Sequence, residues 1–382
     1  MRIHRLAAVA AAVVMVVAAC GTTGSPKPSI DLPGSVGAGE GALDLVAWAG
    51  YVEEDWVKPF EDSTGCQVNA TLGNTSDEMF TLMATGNYDG VSASGDASNR
   101  LITAGHAAAV NTAIIPNFAN VFAGLKGKGH NTVDGVAYGV PHGRGANLLM
   151  WRTDVITTPP DSWGIVFDQN SAYSGKVTAY DAPIYIADAA VYLKATKPDL
   201  EITNPYELND AQFTAAVDLL KTQRTIIGKY WSLYTDQMAA FTAGDSVVGT
   251  TWQIVATLLQ SEDTPVEVTL PKEGTTGWSD TWMISSKAKH PNCMYKWMDY
   301  IISPEANAAA TVYFGEAPVS QAGCDEAEKL SPGHCETFHA TDEDYFSNVY
   351  YWATPQKDCG DDRGAVCKDF SEWVQAWTEI KG

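Results

Sequence analysis

The sequence predicts an α/β protein with two domains. Short apolar segments of strand length alternate with segments of helical period, which is typical of a parallel sheet covered by helices. The chain has 382 residues. The part that begins near Ala42 is long enough for two domains of roughly 150 to 200 residues each.

The first strand–helix pair consists of a strand that begins at Leu43 and a helix over residues 54–62. The strand ends at Trp48, and Gly50 makes a turn to Tyr51. In open α/β sheets, ligands bind beyond the carboxyl ends of the strands, so Trp48 and Tyr51 are candidates to stack on a flat ligand or receive a cation. The alternative is that both rings close the core.

Two further pairs follow directly. A strand over residues 67–72 precedes a helix that begins at Thr75 or Ser76, and a strand over residues 89–94 precedes a third helix. Asp96 lies where this third helix begins. We predict that it caps the helix, with a cation contact as the alternative.

The remaining predicted elements continue the α/β pattern. They are two strands at 138–143 and 147–152 with a domain crossing between them, a strand at 175–181, helices at 184–196, 210–224 and 236–243, and strands at 246–252, 266–271 and 281–284.

Aromatic and acidic residues recur at the predicted strand ends. Trp48, Asp181, Trp252, Trp278 and Asp280 all lie at or just past such an end. Aromatic faces hold the stem of an alkylammonium group, and carboxylates pair with its charge. The repeated pattern therefore predicts a site for an organic cation.

The first residues resemble a bacterial lipoprotein signal. Arg2, His4 and Arg5 precede an apolar run over residues 6–19, and Cys20 follows small residues. We expect residues 1–19 to be removed and Cys20 to carry a lipid that holds the protein on the outer face of the cell membrane. The alternative is an ordinary secretory signal. Residues 20–41 are rich in Gly, Ser, Pro and Thr and predict a flexible tether.

The composition is acidic, with 24 Lys and Arg residues against 46 Asp and Glu residues and a formal charge of −22. A surface of this sign repels nucleic acid and favours cationic partners, although general solubility explains the same charge. We predict no nucleic-acid partner.

Enzyme motifs are missing from the sequence, which contains no Gly-x-Ser-x-Gly, no His-Glu-x-x-His and no P-loop. A glycosidase pair formed by Asp181 and Asp280 is the enzymatic alternative. No cofactor is predicted. No metal site is predicted either, since there is no Cys-x-x-Cys and the cluster of His334, Cys335 and His339 indicates a loop.

Six cysteines besides Cys20 indicate disulfides in an exported protein. They are Cys66, Cys293, Cys324, Cys335, Cys359 and Cys367. Six cysteines allow about fifteen pairings, so the sequence alone does not settle them. Disulfides that close the short loops 324–335 and 359–367 cost the least conformational entropy. Those two pairings would leave Cys66 to pair with Cys293.

Short segments spread in order over nearly the whole predicted fold are similar to one known family. They are Val-Ala-Trp-Ala-Gly-Tyr-Val at 46–52, Tyr-Asp-Gly-Val-Ser-Ala-Ser at 88–94, Tyr-Gly-Val-Pro at 138–141, Pro-Lys-Glu-Gly at 271–274, Trp-Ser-Asp at 278–280, Ala-Lys-His-Pro at 288–291, Tyr-Lys-Trp-Met at 295–298 and Ile-Ser-Pro-Glu at 302–305. The chain thereby resembles the spermidine/putrescine-binding family of solute-binding proteins that serve bacterial ABC importers. Residues 75–78, residues 184–188 and the six-cysteine layout resemble a cysteine-containing subgroup.

The resemblance implies a type II periplasmic binding protein fold, in which crossover strands join two α/β lobes that close on a ligand. Lobe 1 would hold residues 42–142 and 277–319, and lobe 2 would hold residues 143–276 and 320–382. This division places Cys66 and Cys293 in one lobe, which supports their pairing.

The resemblance also implies the ligand and the site. The expected function is an extracytoplasmic receptor, working as a monomer, that captures a polyamine and delivers it to an ABC permease. Its contacts would be Trp48, Tyr51, Ser94, Asp181, Trp252, Trp278 and Asp280. The sequence departs from the family where Ile184 replaces a Glu and where Asp96 and Glu316 lie near Tyr positions. We expect both acids to join the site. The alternatives are a receptor of the same fold for another organic cation, amino acid or osmolyte, and an extracellular hydrolase.

Overall fold

Two mixed β-sheets with helices packed against them form the computed structural model, which describes residues 32–382. The strands are β1 (Ala42–Ala47), β2 (Gln67–Leu72), β3 (Gly90–Ala93), β4 (Thr132–Val133), β5 (Val136–Ala137), β6 (Val140–Pro141), β7 (Gly145–Arg152), β8 (Val177–Tyr180), β9 (Ile227–Trp231), β10 (Val248–Trp252), β11 (Val266–Thr269), β12 (Thr275–Trp278), β13 (Thr281–Ile284) and β14 (Val349–Tyr351).

The α-helices follow the alternation that the sequence predicts. They are α1 (Glu54–Thr64), α2 (Ser76–Ala84), α3 (Gly95–Thr103), α4 (Gly164–Phe167), α5 (Ile186–Thr196), α6 (Asp210–Gln223), α7 (Tyr234–Ala243), α8 (Gln253–Ser261), α9 (Pro291–Ile301), α10 (Pro304–Phe314), α11 (Gln321–Leu330), α12 (His334–Thr337), α13 (Glu343–Phe346) and α14 (Phe370–Lys381).

The first sheet has the strand order β2-β1-β3-β13-β6. Its strand β1 is parallel to β2 and β3, while β13 runs antiparallel to β3 and β6. The second sheet has the order β14-β12-β7-β10-β8-β9, and β11 also pairs with β7. Aromatic and acidic side chains lie at or just past the carboxyl ends of several strands. These strands are β1 and β3 in the first sheet and β8, β9 and β10 in the second.

The chain crosses between the sheets at 142–144, after β6, and at 279–280, after β12. The loop after α10 is tied to the first crossing, because Arg144 and Ala317 exchange backbone hydrogen bonds of 3.2 and 3.0 Å. The chain thus passes between the two sheets in the segment where the sequence predicts a crossing between domains. The predicted lobe bounds stay a prediction. Strand β12 continues within the second sheet to Trp278, two residues past the expected boundary at 276.

The N-cap residues show how the local sequence determines where two of the helices begin. The hydroxyl of Thr75 accepts a hydrogen bond from the Glu78 amide at 3.1 Å, so Thr75, and not Ser76, is the N-cap of α2. The predicted cap on α3 is wrong. Its N-cap residue is Ser94, whose side chain makes no cap bond, and Asp96 lies inside the first turn.

Strand β9 has no counterpart among the predicted elements. It pairs in parallel with β8, and Tyr180 lies opposite Trp231. The sequence of β9 has only a weak preference for the β conformation, since Gly228 and Lys229 interrupt its β-prone residues.

The end of the predicted tether lies on the first sheet's helices. The Glu40 carboxylate accepts the backbone N–H groups of Asn292 and Cys293 at 3.0 and 2.9 Å, at the start of α9. Gly37 donates its amide to the Asn292 side chain. Glu40 therefore stabilises a helix N-terminus that has no side-chain cap of its own. The predicted signal and the lipid-bearing Cys20 lie outside the described residues.

Three disulfides join Cys66 to Cys293, Cys324 to Cys335, and Cys359 to Cys367. The predicted pairing is confirmed, including the long-range link. Both cysteines of that link are fully buried, and it joins the end of α1 to the first turn of α9. Within residues 32–382, no helix combines the length and the hydropathy that crossing a bilayer requires.

Candidate functional site

An acidic cluster lies where the carboxyl end of the first sheet meets the crossings. Asp280, in the second crossing, accepts hydrogen bonds from the Tyr51 hydroxyl at 2.9 Å and from the Ser94 hydroxyl at 2.5 Å. Glu316, in the loop after α10, places Oε2 3.3 Å from the same Tyr51 hydroxyl. The structure thus brings together four predicted site residues from four separate parts of the chain.

Burial raises the pKa of these acids. The pKa of Asp280 is raised to about 6 by burial and by the charge of Asp96, against the lowering effect of its hydrogen bonds from Ser94 and Tyr51. Burial and the neighbouring Asp280 raise the pKa of Glu316 well above its usual range. Burial and the two carboxylates also raise the pKa of Tyr51, which keeps the phenol a hydrogen-bond donor.

A neutral histidine closes the far side of Glu316. His142 Nε2 lies 3.4 Å from Glu316 Oε1, and His142 Nδ1 accepts the indole N–H of Trp282 at 3.0 Å. This arrangement leaves the proton on Nε2, facing the carboxyl group. Burial lowers the pKa of His142 to about 3, so the ring supplies no positive charge. Gly143 is required here, since a Cβ atom would lie 2.3 Å from Glu316 Oε2.

Asp96 is the third buried acid of the cluster. Its Oδ1 accepts a hydrogen bond from the Ser76 hydroxyl at 2.8 Å. Burial raises the pKa of Asp96 to about 6, although the Ser76 bond and the charge of Arg100 lower it. Arg100 itself is paired with Asp77 at 2.5 Å. Within the described part of the chain, no Lys or Arg side chain forms an ion pair with Asp96, Asp280 or Glu316.

Aromatic rings from the second sheet line the other side. Tyr180, Trp231 and Trp252 end β8, β9 and β10, and their ring centroids lie 5.1 to 5.8 Å apart. Trp278 continues the row at 6.4 Å from Trp252, and Phe314 links it to Tyr51. The pKa of Tyr180 is raised by burial and then by the charges of Asp96 and Asp280, which places its hydroxyl within electrostatic reach of the acidic cluster.

Two predicted contacts lie apart from this arrangement. Asp181 faces α14, where its carboxylate binds Lys381 Nζ at 2.7 Å and the Trp377 indole N–H at 3.1 Å. Side chains alternate along a strand, so the residue after Tyr180 points away from the rings. Trp48 is partly buried against the core of the first sheet, and its ring pairs with none of the other site rings among the described residues.

Sequence reasoning missed His142, Tyr180, Trp231 and Phe314. Tyr180 carries the same signal that selected the predicted residues, an aromatic at the end of a predicted strand. Trp231 ends β9, which the sequence did not predict, so its position at a strand end was not visible. His142 lies at the predicted domain crossing, where a titratable residue is a candidate on position alone. Phe314, near the end of α10, carries no local signal because its role depends on the loop that follows.

One group in the described chain has the geometry of a metal site. Ligand atoms of Asp44, Asp89 and His290 lie within 4.8 Å of one another. Both oxygens of Asp89 already accept two hydrogen bonds each, from Lys289 and His290 amides and from the Asp44 amide and the His290 ring. These bonds give Asp89 a structural role in joining β1 to the start of α9.

Residues 55–329 match the family model described as bacterial extracellular solute-binding protein. The chain belongs to this family. A putrescine/cadaverine-binding protein of Pseudomonas aeruginosa is 24% identical over 279 residues, which cover 68% of this chain and 74% of the relative. A putrescine/agmatine-binding protein of the same organism is 23% identical over 313 residues, which cover 77% and 83%.

A solved structure confirms the fold of this solute-binding protein. The substrate-binding protein PotD of the spermidine/putrescine ABC transporter from Streptococcus pneumoniae superposes with a TM-score of 0.70 at 14% identity, over 89% of this chain and 97% of that structure. The predicted two-lobed type II periplasmic binding protein fold is thereby confirmed.

Proposed function

We propose that this protein is the extracytoplasmic receptor of an ABC importer, and that it captures a polyamine such as putrescine between its lobes. Three buried carboxyl groups, Asp96, Asp280 and Glu316, carry this proposal because no Lys or Arg in residues 32–382 forms an ion pair with them. A buried carboxylate without a cation is unfavourable by several kcal/mol in typical proteins. An ammonium group would remove that penalty, and the relatives named above bind diamines.

The aromatic row supplies the second half of the site. Tyr180, Trp252 and Trp278 would offer ring faces to methylene groups and to a second ammonium group, and the buried Trp231 packs against the first two. The acids and the rings come from opposite sheets, so a ligand that contacts both binds the closed form more tightly than the open form. Differential affinity of this kind drives lobe closure.

A shorter or singly charged organic cation is the second candidate. Asp181 follows Tyr180 in the chain, but it is paired with Lys381 and supplies no free charge for a second ammonium group. The remaining acids all lie on one side of the rings. A ligand with a single charged end would satisfy this arrangement as well as a diamine does.

The remaining predictions complete the proposal. Lipid attachment at Cys20 would keep the receptor near its permease, and the protein would act as a monomer without catalysing a reaction. Trp48 and Asp181 stay candidate contacts by resemblance.

A thermal-shift screen of the purified protein tests the proposed function. Putrescine, cadaverine, spermidine, agmatine, choline, betaine, amino acids and simple sugars form the panel. A ligand at 100 times its Kd adds about 2.7 kcal/mol to the free energy of unfolding. We expect a diamine to raise Tm by several degrees. A rise with choline or betaine alone would favour the second candidate, and no rise with any amine would contradict both.

A further inference from the structure

A buried chain of hydrogen bonds leads from a ring of the site to an acid on α5. The Trp252 indole N–H donates to Asn147 Oδ1 at 3.0 Å, Asn147 Nδ2 donates to Thr276 Oγ1 at 2.6 Å, and the Thr276 hydroxyl donates to Asp188 Oδ1 at 3.0 Å. Asn147, Thr276 and Asp188 are 7%, 0% and 6% exposed. The three residues join β7, β12 and α5 beneath the aromatic row.

The direction of this chain is set at its two ends. An indole nitrogen only donates, and a carboxyl oxygen that carries no proton only accepts, whereas an amide and a hydroxyl each do both. With Asp188 as the acceptor, the Thr276 hydroxyl turns its lone pair toward Asn147. The Asn147 amide then presents its NH₂ group to Thr276 and its oxygen to Trp252. Without that acceptor, the hydroxyl is free to donate to Asn147, and the reversed amide would turn NH₂ toward the indole N–H.

Asp188 is an unfavourable residue at this position unless it has such a role. Burial raises its pKa to about 7, and no described Lys or Arg forms an ion pair with it. The other inward residues of α5 are apolar, including Ile186, Ala187 and Val191, which are fully buried. An apolar residue at 188 would extend this core without the burial penalty of a carboxyl group.

We propose that Asp188 is a positioning residue of the ligand site, which holds the Trp252 ring in place by setting the direction of the hydrogen bonds through Thr276 and Asn147. The proposal rests on the proposed function for its effect on binding, but its effect on Trp252 is independent of any ligand. It also gives Thr276 and Asn147 a defined part in the site.

The test compares Asp188→Leu, which removes the acceptor, with Asp188→Asn, whose amide oxygen can still accept from Thr276. Val191→Ala is the matched control, since it also disturbs the buried face of α5 but leaves the chain of hydrogen bonds intact. The first readout is the indole N–H proton resonance of Trp252 in the ligand-free protein, assigned by its loss in Trp252→Phe. We expect Asp188→Leu to move this resonance upfield, and Asp188→Asn and Val191→Ala to leave it near its wild-type position.

The second readout is the affinity for putrescine by calorimetry. We expect about a tenfold loss in Asp188→Leu and less than about a twofold loss in Asp188→Asn. In a Trp252→Phe background, which removes the N–H donor, Asp188→Leu should change affinity less than about twofold.

An unmoved Trp252 resonance in Asp188→Leu would overturn the proposal, whether or not putrescine binds. Equal losses of affinity in Asp188→Asn and Asp188→Leu would overturn it too, because they would show that the charge itself acts on the ligand. If the wild-type protein does not bind putrescine, the proposed function fails for that ligand, and the resonance still decides the role of Asp188.

Discussion

Single side chains in the acidic cluster carry buried charges that oppose folding. Asp280 is ionised at neutral pH although burial raises its pKa to about 6, and each unit of such a shift corresponds to about 1.4 kcal/mol. The Ser94 and Tyr51 hydrogen bonds recover only part of this free energy. Sites that bind charged ligands commonly show this conflict between stability and function.

We expect Asp280→Asn to raise the Tm of the ligand-free protein at pH 7 and to abolish its response to putrescine. The amide keeps an acceptor for Tyr51 or Ser94 but removes the buried charge, so the gain in stability should be on the order of 1–2 kcal/mol. Thermal unfolding with and without putrescine measures both effects. Asp62→Asn, at an exposed position, is the control and should retain the ligand response. A destabilised Asp280→Asn that still binds putrescine would contradict the assignment.

Putrescine binding should release protons and weaken as the pH falls. Burial raises the pKa of Asp96 and Asp280 to about 6, so both acids hold protons below that pH in the ligand-free protein. A cation favours the ionised forms, and its affinity should therefore decrease as the pH is lowered from 7 to 5. Calorimetry at pH 5.5 in buffers with different ionisation enthalpies measures the protons released. Equal binding enthalpies in all buffers would contradict the prediction.

The same shifts set the pH dependence of stability without ligand. The pKa of Asp96 and the pKa of Asp280 are both higher in the folded state than in the unfolded state. Their contribution to the free energy of unfolding is therefore fully present below about pH 4 and is lost as the pH rises through 6. His142 acts in the opposite direction, because burial lowers its pKa to about 3 and its contribution is lost as the pH falls from about 6.5 to 3. Asp280→Asn should reduce the loss of stability between pH 4 and pH 6 and leave the loss of stability caused by His142 at lower pH unchanged.

Residue-level prediction succeeded where a signal was local and failed where orientation mattered. Trp252, Trp278 and Asp280, which the strand-end pattern selected, lie in one arrangement with Tyr51 and with Ser94, which the resemblance implied. Their role as ligand contacts stays a prediction. Asp181 carries the same pattern but faces Lys381, a partner 200 residues away in sequence. A side chain at a strand end points to one face of the sheet or the other according to which residue is the last one paired. Sequence alone locates that last paired residue only to within about one position, which is enough to reverse the side chain's direction.

At the level of elements, helix α9 depends on a residue from outside it. Burial raises the pKa of Glu40, but the backbone N–H groups of Cys293 and Asn292 outweigh burial and lower it overall. The helix has no side-chain cap of its own, so Glu40 takes that role from the segment before β1. Composition indicated a flexible tether up to residue 41 because a cap supplied from 250 residues away leaves no local pattern.

We expect Glu40→Ala to lower the free energy of unfolding by about 1 kcal/mol at pH 7. Because the carboxylate has a lowered pKa, its contribution is present above the usual Glu pKa and is lost as the pH falls through the folded value. Denaturant unfolding at pH 7 and pH 3 measures the change. Glu336→Ala, at an exposed position, is the control, and a Glu40→Ala effect that is equal at both pH values would contradict the assigned role.

For the molecule as a whole, we expect the crossings to couple ligand binding to the motion of the lobes. Asp280 lies in the second crossing and Glu316 in the loop that is tied to the first, and the charge of Asp280 reaches Tyr180 at the end of β8 in the second sheet. Alternation of strands and helices was enough to predict two α/β units. The convergence of these segments on Tyr51 leaves no local pattern, since it depends on contacts between residues more than 200 positions apart, and only the family resemblance implied it.

We expect putrescine to reduce the radius of gyration measured by small-angle X-ray scattering, because the lobes close around it. Asp280→Asn at the same putrescine concentration should keep the radius of the ligand-free protein. Thr378→Ala, on the exposed side of α14, is a control that should close as the wild-type protein does. A wild-type radius that does not change at saturating putrescine would show that binding and closure are separate.

The attachment of Glu40 to the start of α9 also decides how this receptor can be handled as a sensor. Residues 37–40 meet the fold at the amino end of β1, whereas the acids and rings gather at the opposite, carboxyl end of the strands. A surface or fluorescent label attached near residue 37 would therefore lie at the amino end of β1, away from the acids and rings. We expect immobilisation from this end to leave amine detection intact.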